Sequence, residues 1–206
     1  TYTGGLIGFS DTSTSSFTLV SHTSGLVKGT STVGGLVGCL SGSIGNMSLA
    51  AYDSSVSSNV QGTGSTIGGL VGYVYQGNIS NAQYVGNVGI NTSIGTYIGG
   101  LVGCLSSSTG TVQNNNISAN VTGISQIGGL AGYISGGTTS NNTVSGNVLG
   151  TSMVGGLIGY GISGTATNNT VSANITGGST VGGMVGYENG TTVNTSNFTG
   201  NVSGAS

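Results

Sequence analysis

The sequence predicts an all-β chain, wound as a parallel β-solenoid (a β-helix) of seven coils with 27–34 residues each. Three observations predict it. First, a five-residue block, Gly-Gly-Leu-Val-Gly or a close variant, begins at Gly4, Gly34, Gly68, Gly99, Gly128, Gly155 and Gly182. The steps are 30, 34, 31, 29, 27 and 27 residues, a period that marks one structural unit stacked on copies of itself. Second, the segment closing each unit alternates apolar and polar residues, the pattern of a half-buried strand. Third, no 3.6-residue stripe is present, and glycine interrupts every window at roughly 1 kcal/mol per interior helical site relative to alanine.

Residues 127–150 serve as the type unit. It opens with Ile127-Gly-Gly-Leu-Ala-Gly-Tyr133, which reads as one strand. One face carries Ile127, Ala131 and Tyr133; the other carries Leu130 between Gly128 and Gly132. Neither face is polar, so both must be covered. Glycine at these positions predicts another backbone or a ring in close approach. The core can cover one face. The other needs a second layer of the same chain or a neighbouring molecule.

A Gly/Ser/Thr/Asn turn follows, and then the closing strand. There Asn142, Val144, Gly146 and Val148 share the inward face, and Asn141, Thr143, Ser145 and Asn147 the outward one. The next unit repeats the register with Val171, Ala173 and Ile175 inward, and Asn168, Thr170, Ser172 and Asn174 outward. The final unit sets Phe198, Gly200 and Val202 against Asn197, Thr199 and Asn201.

Stacking such units at the ~4.8 Å strand spacing gives a column about 34 Å long. Right-handed coiling follows from the handedness rule for parallel crossovers. Equivalent residues then form ladders. Asn59, Asn87, Asn120, Asn147, Asn174 and Asn201 make one row, and Asp53, Asn81, Asn114, Asn141 and Asn168 a second. Stacked amides can hydrogen-bond along the axis. The unbroken period argues for a single domain, residues 1–206.

The Gly-Gly-Leu-Val-Gly core, the Gly/Ser/Asn segment after it and the Gly-Asn-Val close resemble the GLUG-motif repeat family, in seven copies over essentially the whole chain. Proteins of that kind are large microbial surface proteins, some attached to adhesin or IgA-peptidase-like regions. The resemblance implies a β-solenoid and extracellular display. It brings no catalytic residues, and the zinc-peptidase pattern His-Glu-x-x-His is absent from the sequence.

Composition narrows the function classes. Among 206 residues there are 44 glycines and no proline, and only Asp11, Lys28, Asp53 and Glu188 carry full charge. Hydrophobic residues make up 35%, with a mean hydropathy of +0.25, which favours an ordered chain over a disordered one. A net charge of −2 provides no basic footprint for nucleic acid. No apolar run reaches the ~18 residues that span a bilayer, so membrane insertion is not expected. The near-neutral surface favours association.

Catalysis is not expected, nor is a cofactor or metal. Asp11, Asp53 and Glu188 sit in the first, second and last repeats, too far apart along a column to act as a carboxylate pair. A Ser-His-Asp arrangement could be built only around His22 and Asp11, and solvent-facing residues in an atypical first coil are the plainer reading. The glycine blocks lack the lysine and helix of a phosphate cradle, and no aspartate recurs as in calcium-binding solenoids.

Cys39 and Cys104 occupy the aromatic position held elsewhere by Phe9, Tyr73, Tyr133, Tyr160 and Tyr187. Two coils apart, their Cα atoms should lie ~10 Å from each other, beyond the ~7 Å limit for a bridge. They are expected as inert packing, with an intermolecular bridge open if the row faces outward.

N-glycosylation acceptor triplets occur at Asn46, Asn78, Asn91, Asn116, Asn120, Asn141, Asn168, Asn174, Asn189, Asn194, Asn197 and Asn201. In a eukaryotic secretory host those on the outward face can carry glycans. Finally, residues 200–206 joined to residues 1–8 reproduce the rhythm of the internal stretch 146–159. Bare solenoid ends template further pairing. The chain is therefore expected either to continue a longer solenoid or to stack head to tail into a filament.

The expected function is structural: an extracellular stalk or fibre for adhesion or surface coating, glycosylated and self-associating. The alternative is a solenoid binding polysaccharide or ice on a flat Asn/Ser/Thr face. Thr30/Thr32 and Thr165/Thr167 are too scattered to form the regular threonine ranks that ice binders use.

Overall fold

A computed structural model describes residues 1–11, 25–41, 48–50, 55–89 and 96–205. These form an all-β solenoid of about six turns, without a helix. Each full turn runs through four strands, and each strand pairs in parallel with its equivalents in the turns before and after. Four sheets result, running along the column.

The entry sheet has seven strands, among them Thr32–Gly34, Thr66–Gly68, Tyr97–Gly99, Ile127–Gly128 and Val154–Gly155. The motif sheet also has seven, from Ile7–Asp11 to Val185–Asn189. A short sheet includes Asn78–Ser80, Thr111–Gln113, Thr138–Ser140 and Thr165–Thr167. The long sheet includes Gln83–Gly89, Asn116–Thr122, Thr143–Leu149 and Thr170–Gly177.

The five-residue block is not one strand, as its sequence suggests. It is two strands in two sheets. Ile127–Gly128 ends in the entry sheet, the chain bends at Gly129-Leu130, and Ala131–Ser135 continues in the motif sheet. The glycines explain why. A Cβ on Gly99 would lie 1.9 Å from the Val102 carbonyl oxygen, and one on Gly100 would lie 2.1 Å from the Gly129 carbonyl oxygen. A Cβ on Gly103 would lie 2.5 Å from the Gly72 oxygen and 2.7 Å from the Ile67 nitrogen. The bend folds the entry strand directly onto the motif sheet, backbone against backbone. Of the two coverings open to the second apolar face, the inner turns use a layer of the same chain.

The bend leucine points into the core: Leu36, Leu70, Leu101, Leu130 and Leu157 are fully buried. Their neighbours Val33, Ile67, Ile98, Ile127 and Val154 form a second apolar ladder along the entry sheet. The long sheet closes the core with Val60, Val88, Val121, Val148 and Ile175, in the expected inward register.

Corners between the short and long sheets are made by Asn81, Asn114, Asn141 and Asn168, whose φ values are 55°, 57°, 55° and 57°. Asparagine tolerates this left-handed conformation better than other side-chain-bearing residues, because its short amide can bond locally. Each corner residue turns the next one inward. The row 81/114/141/168 was expected to be an amide ladder. It is a row of corners instead, and the second amide ladder lies one residue further on.

Candidate functional site

The most regular surface of the molecule is the outer face of the long sheet. Strand pairing sets Asn87, Asn120, Asn147 and Asn174 in one file. The side chains then bond coil to coil. Asn87 Nδ2 donates to Asn59 Oδ1 at 2.8 Å, Asn120 to Asn87 at 3.1 Å and Asn147 to Asn120 at 2.9 Å. Asn174 donates to Asn147 at 3.2 Å, and Asn201 to Asn174 at 3.1 Å. All six amides are solvent-exposed. The five from Asn87 to Asn201 each spend one N–H on the coil before and keep a second N–H for solvent or ligand.

Beneath the corners runs a buried counterpart, Asn115, Asn142 and Asn169. Asn142 Oδ1 accepts from the backbone N–H of Asn115 at 3.1 Å and from Asn115 Nδ2 at 2.9 Å. Its own Nδ2 donates to the Val112 carbonyl at 2.8 Å and to Asn169 Oδ1 at 2.9 Å. Asn115 Oδ1 accepts from the Ala82 N–H, and the Asn169 N–H donates to Ser196 Oγ. Here the amide-to-amide bonds donate toward the C-terminal coil, opposite to the exposed row, while each Nδ2 also donates to a carbonyl of the coil before. This ladder was not singled out from the sequence. Its signal is the second asparagine of each Asn-Asn pair, which the alternation already places on the inward face with Val144 and Val171.

Flanking the exposed amides, the same face presents Asn116, Thr143, Thr170 and Asn197 in one row and Ser118, Ser145, Ser172 and Thr199 in another. Its polar groups are mainly hydroxyls and amides, with the Lys28 ammonium near one end and Leu26, Val85 and Leu149 exposed among them. Asp11 and Glu188 stand at opposite ends of the motif sheet, in Ile7–Asp11 and Val185–Asn189. His22 and Asp53 lie outside the described residues. No group of three or more His, Cys, Asp or Glu side chains able to hold a metal is found among the described residues. Nor is any helix long and apolar enough to cross a membrane.

Of the glycosylation candidates, Asn46 and Asn91 lie outside the described residues. Asn120, Asn174 and Asn201 are members of the exposed ladder. Asn78 is held by Thr111, whose N–H and hydroxyl both donate to its Oδ1. Asn116, Asn141, Asn168, Asn189, Asn194 and Asn197 are exposed.

The other continuous row follows the motif sheet, where strand pairing sets Phe9, Cys39, Tyr73, Cys104, Tyr133, Tyr160 and Tyr187 in order. Cys39 and Cys104 are free, with Tyr73 between them, and each is only 3% exposed. Burial pushes the Cys39 thiol up to about 11 and the Cys104 thiol up to about 12. Neither thiol is presented to a neighbouring molecule. Burial also raises the Tyr73 and Tyr97 phenols above their ordinary value. The Tyr97–Tyr133, Tyr133–Tyr160 and Tyr160–Tyr187 ring centroids are 4.8, 5.5 and 5.1 Å apart.

Comparison with known proteins leaves the geometry to stand by itself: no family model, no curated protein and no solved structure matches the chain.

Proposed function

We propose that this chain is a non-enzymatic structural module of an extracellular surface, a stalk or fibre of the GLUG-repeat kind. It is a right-handed column of seven coils whose end faces are covered by further solenoid. The observation that carries this reading is the state of the two ends. At one end Tyr2, Leu6 and Phe9 are exposed; at the other Tyr187, Val193 and Val202 are. In the inner turns their equivalents Leu70, Cys39, Ala166 and Val148 are fully or almost fully buried, and Tyr133 and Tyr160 are half-buried. Both ends also leave strand edges unpaired, which favours another coil in parallel register.

The end faces match as the inner turns do. Val185, Tyr187 and the motif glycines at one end would meet Ile7, Phe9 and Gly4-Gly5 at the other, apolar on apolar and ring on ring. Whether the covering coil belongs to the same polypeptide or to a second copy, the product is a longer column. The exposed sequons, Asn116, Asn141, Asn168, Asn189, Asn194 and Asn197, support a sugar coat on the nearly uncharged sides.

Sedimentation of the purified chain over a range of concentrations tests this. Mass should grow with concentration, and Val202→Lys, which places a charge on one end face, should hold the folded chain at monomer mass. Monomer at every concentration with the parent sequence would overturn the stacking.

A second reading rests on the exposed six-amide row: binding of a polysaccharide or ice along the long sheet. Thermal hysteresis, or retention on an immobilised polysaccharide that is lost in Asn147→Asp, would favour it.

A further inference from the structure

We infer that the tyrosine row Tyr97, Tyr133, Tyr160 and Tyr187 is a site of oxidative modification, at which a one-electron oxidant joins neighbouring coils through dityrosine bonds. Three features carry the inference. The first is proximity. Successive ring centroids are separated by 4.8, 5.5 and 5.1 Å, so each phenol has another within van der Waals range. The second is fixed placement. Tyr133, Tyr160 and Tyr187 are register partners in paired parallel strands, so the phenols are held together without a search through conformations. The third is access. Tyr97, Tyr133 and Tyr160 are half-buried and Tyr187 is exposed, so an oxidant reaches the row while the ring bodies stay packed.

The chemistry balances with a peroxide as oxidant and a peroxidase-type catalyst. Each of two phenols loses one electron and one proton, giving two tyrosyl radicals. Hydrogen peroxide takes up two electrons and two protons and leaves as two waters. The radicals join through a carbon–carbon bond between the ring positions ortho to oxygen. Each of those carbons then passes its hydrogen back to the phenol oxygen, restoring both rings.

Geometry ranks the pairs. Bond formation needs the π faces of both ortho carbons to meet. Tyr97 and Tyr133 are tilted by only 35°, whereas Tyr133–Tyr160 and Tyr160–Tyr187 stand edge-on at 64° and 75° and must first turn a ring. Tyr97 and Tyr133 come from different sheets and different turns, so their bond would tie the entry sheet to the motif sheet. An extracellular column would gain a covalent staple without using its buried thiols. This inference does not depend on end-to-end stacking.

The test exposes dilute, folded protein to a peroxidase and hydrogen peroxide and follows dityrosine fluorescence. Peptides are then sequenced by mass spectrometry after digestion with a protease of broad specificity, because one lysine and no other basic cleavage site leave trypsin useless. The expected result is a Tyr97–Tyr133 peptide pair, lighter by two hydrogens, formed at a yield independent of protein concentration. Tyr133→Phe keeps the ring packing and should abolish that pair. Circular dichroism of the variant, unchanged from the parent, shows that the loss is chemical. Absence of dityrosine in the folded parent protein would overturn the inference. So would dityrosine formed only between copies, or an unchanged fluorescence yield in a Tyr97→Phe/Tyr133→Phe/Tyr160→Phe variant.

Discussion

Asn142 shows how much a single side chain carries in this molecule. It is buried, and its side chain makes four hydrogen bonds, two as acceptor and two as donor, to the coils on either side. A buried polar group is tolerated only when its partners are complete, and removing one partner strands the others. Asn142→Ala leaves the Asn115 N–H, one Asn115 Nδ2 proton and the Val112 carbonyl short of a partner, while Asn169 Oδ1 keeps the backbone N–H of residue 142. At about 1–3 kcal/mol for each stranded group, the loss should exceed about 3 kcal/mol in total. Thermal unfolding followed by circular dichroism measures it. Asn147→Ala on the exposed row should lower stability by less than about 1 kcal/mol, because water replaces the lost partner. Equal losses at the two sites would contradict the distinction between the ladders. The exposed file could be read from the spacing of Asn-Val and Asn-Ile pairs in the closing strand. The buried one was harder to see, because an inward asparagine looks like a lapse in the alternation until the left-handed corner before it is known.

At the scale of the strand, the decisive device is the glycine block. Its composition announced close backbone approach, and the close approach is there. What composition could not announce was the direction of the chain through the block. A run apolar on both faces fits one doubly covered strand as well as two strands folded against each other. Only the carbonyl contacts at Gly99, Gly100 and Gly103 separate the two. A methyl group on Gly100 would meet the Gly129 carbonyl oxygen, a backbone atom that cannot move without shifting a whole turn. Gly100→Ala is expected to destabilise the column by about 3 kcal/mol or more, the upper part of the range for overpacking. A melting temperature within a degree of the parent would contradict the packing described.

The motif sheet also carries a pH dependence. Burial raises Cys39 from 9.0 to about 11 and Cys104 from 9.0 to about 12 in the folded chain. Between those values the folded state holds protons that the unfolded state has lost, so stability falls as pH rises. The thiols' contribution should be flat below pH 9.0 and decline from there toward 11. The elevated Tyr73 and Tyr97 phenols act in the same direction. Cys39→Ala/Cys104→Ala should flatten the first part of that decline, read as melting temperature against pH. An identical profile in the double variant would show that the thiols are not buried as described.

For the molecule as a whole, the period of 27–34 residues was enough to foresee parallel stacking, because a unit that cannot bury its own apolar face has only its copies to lean on. Function was less legible for a physical reason. Repetition spreads the same few hydrogen-bonding and packing groups along the column, and among the described residues no three His, Cys, Asp or Glu side chains gather into a metal-holding group. What remains unfilled is geometric: two apolar end faces with open strand edges. The most direct measurement is cryo-electron microscopy of the concentrated protein. The account predicts rods or filaments longer than one chain, with the ~4.8 Å strand repeat continuing unbroken across each junction. Isolated columns no longer than a single chain at every concentration, or particles without that axial repeat, would contradict it.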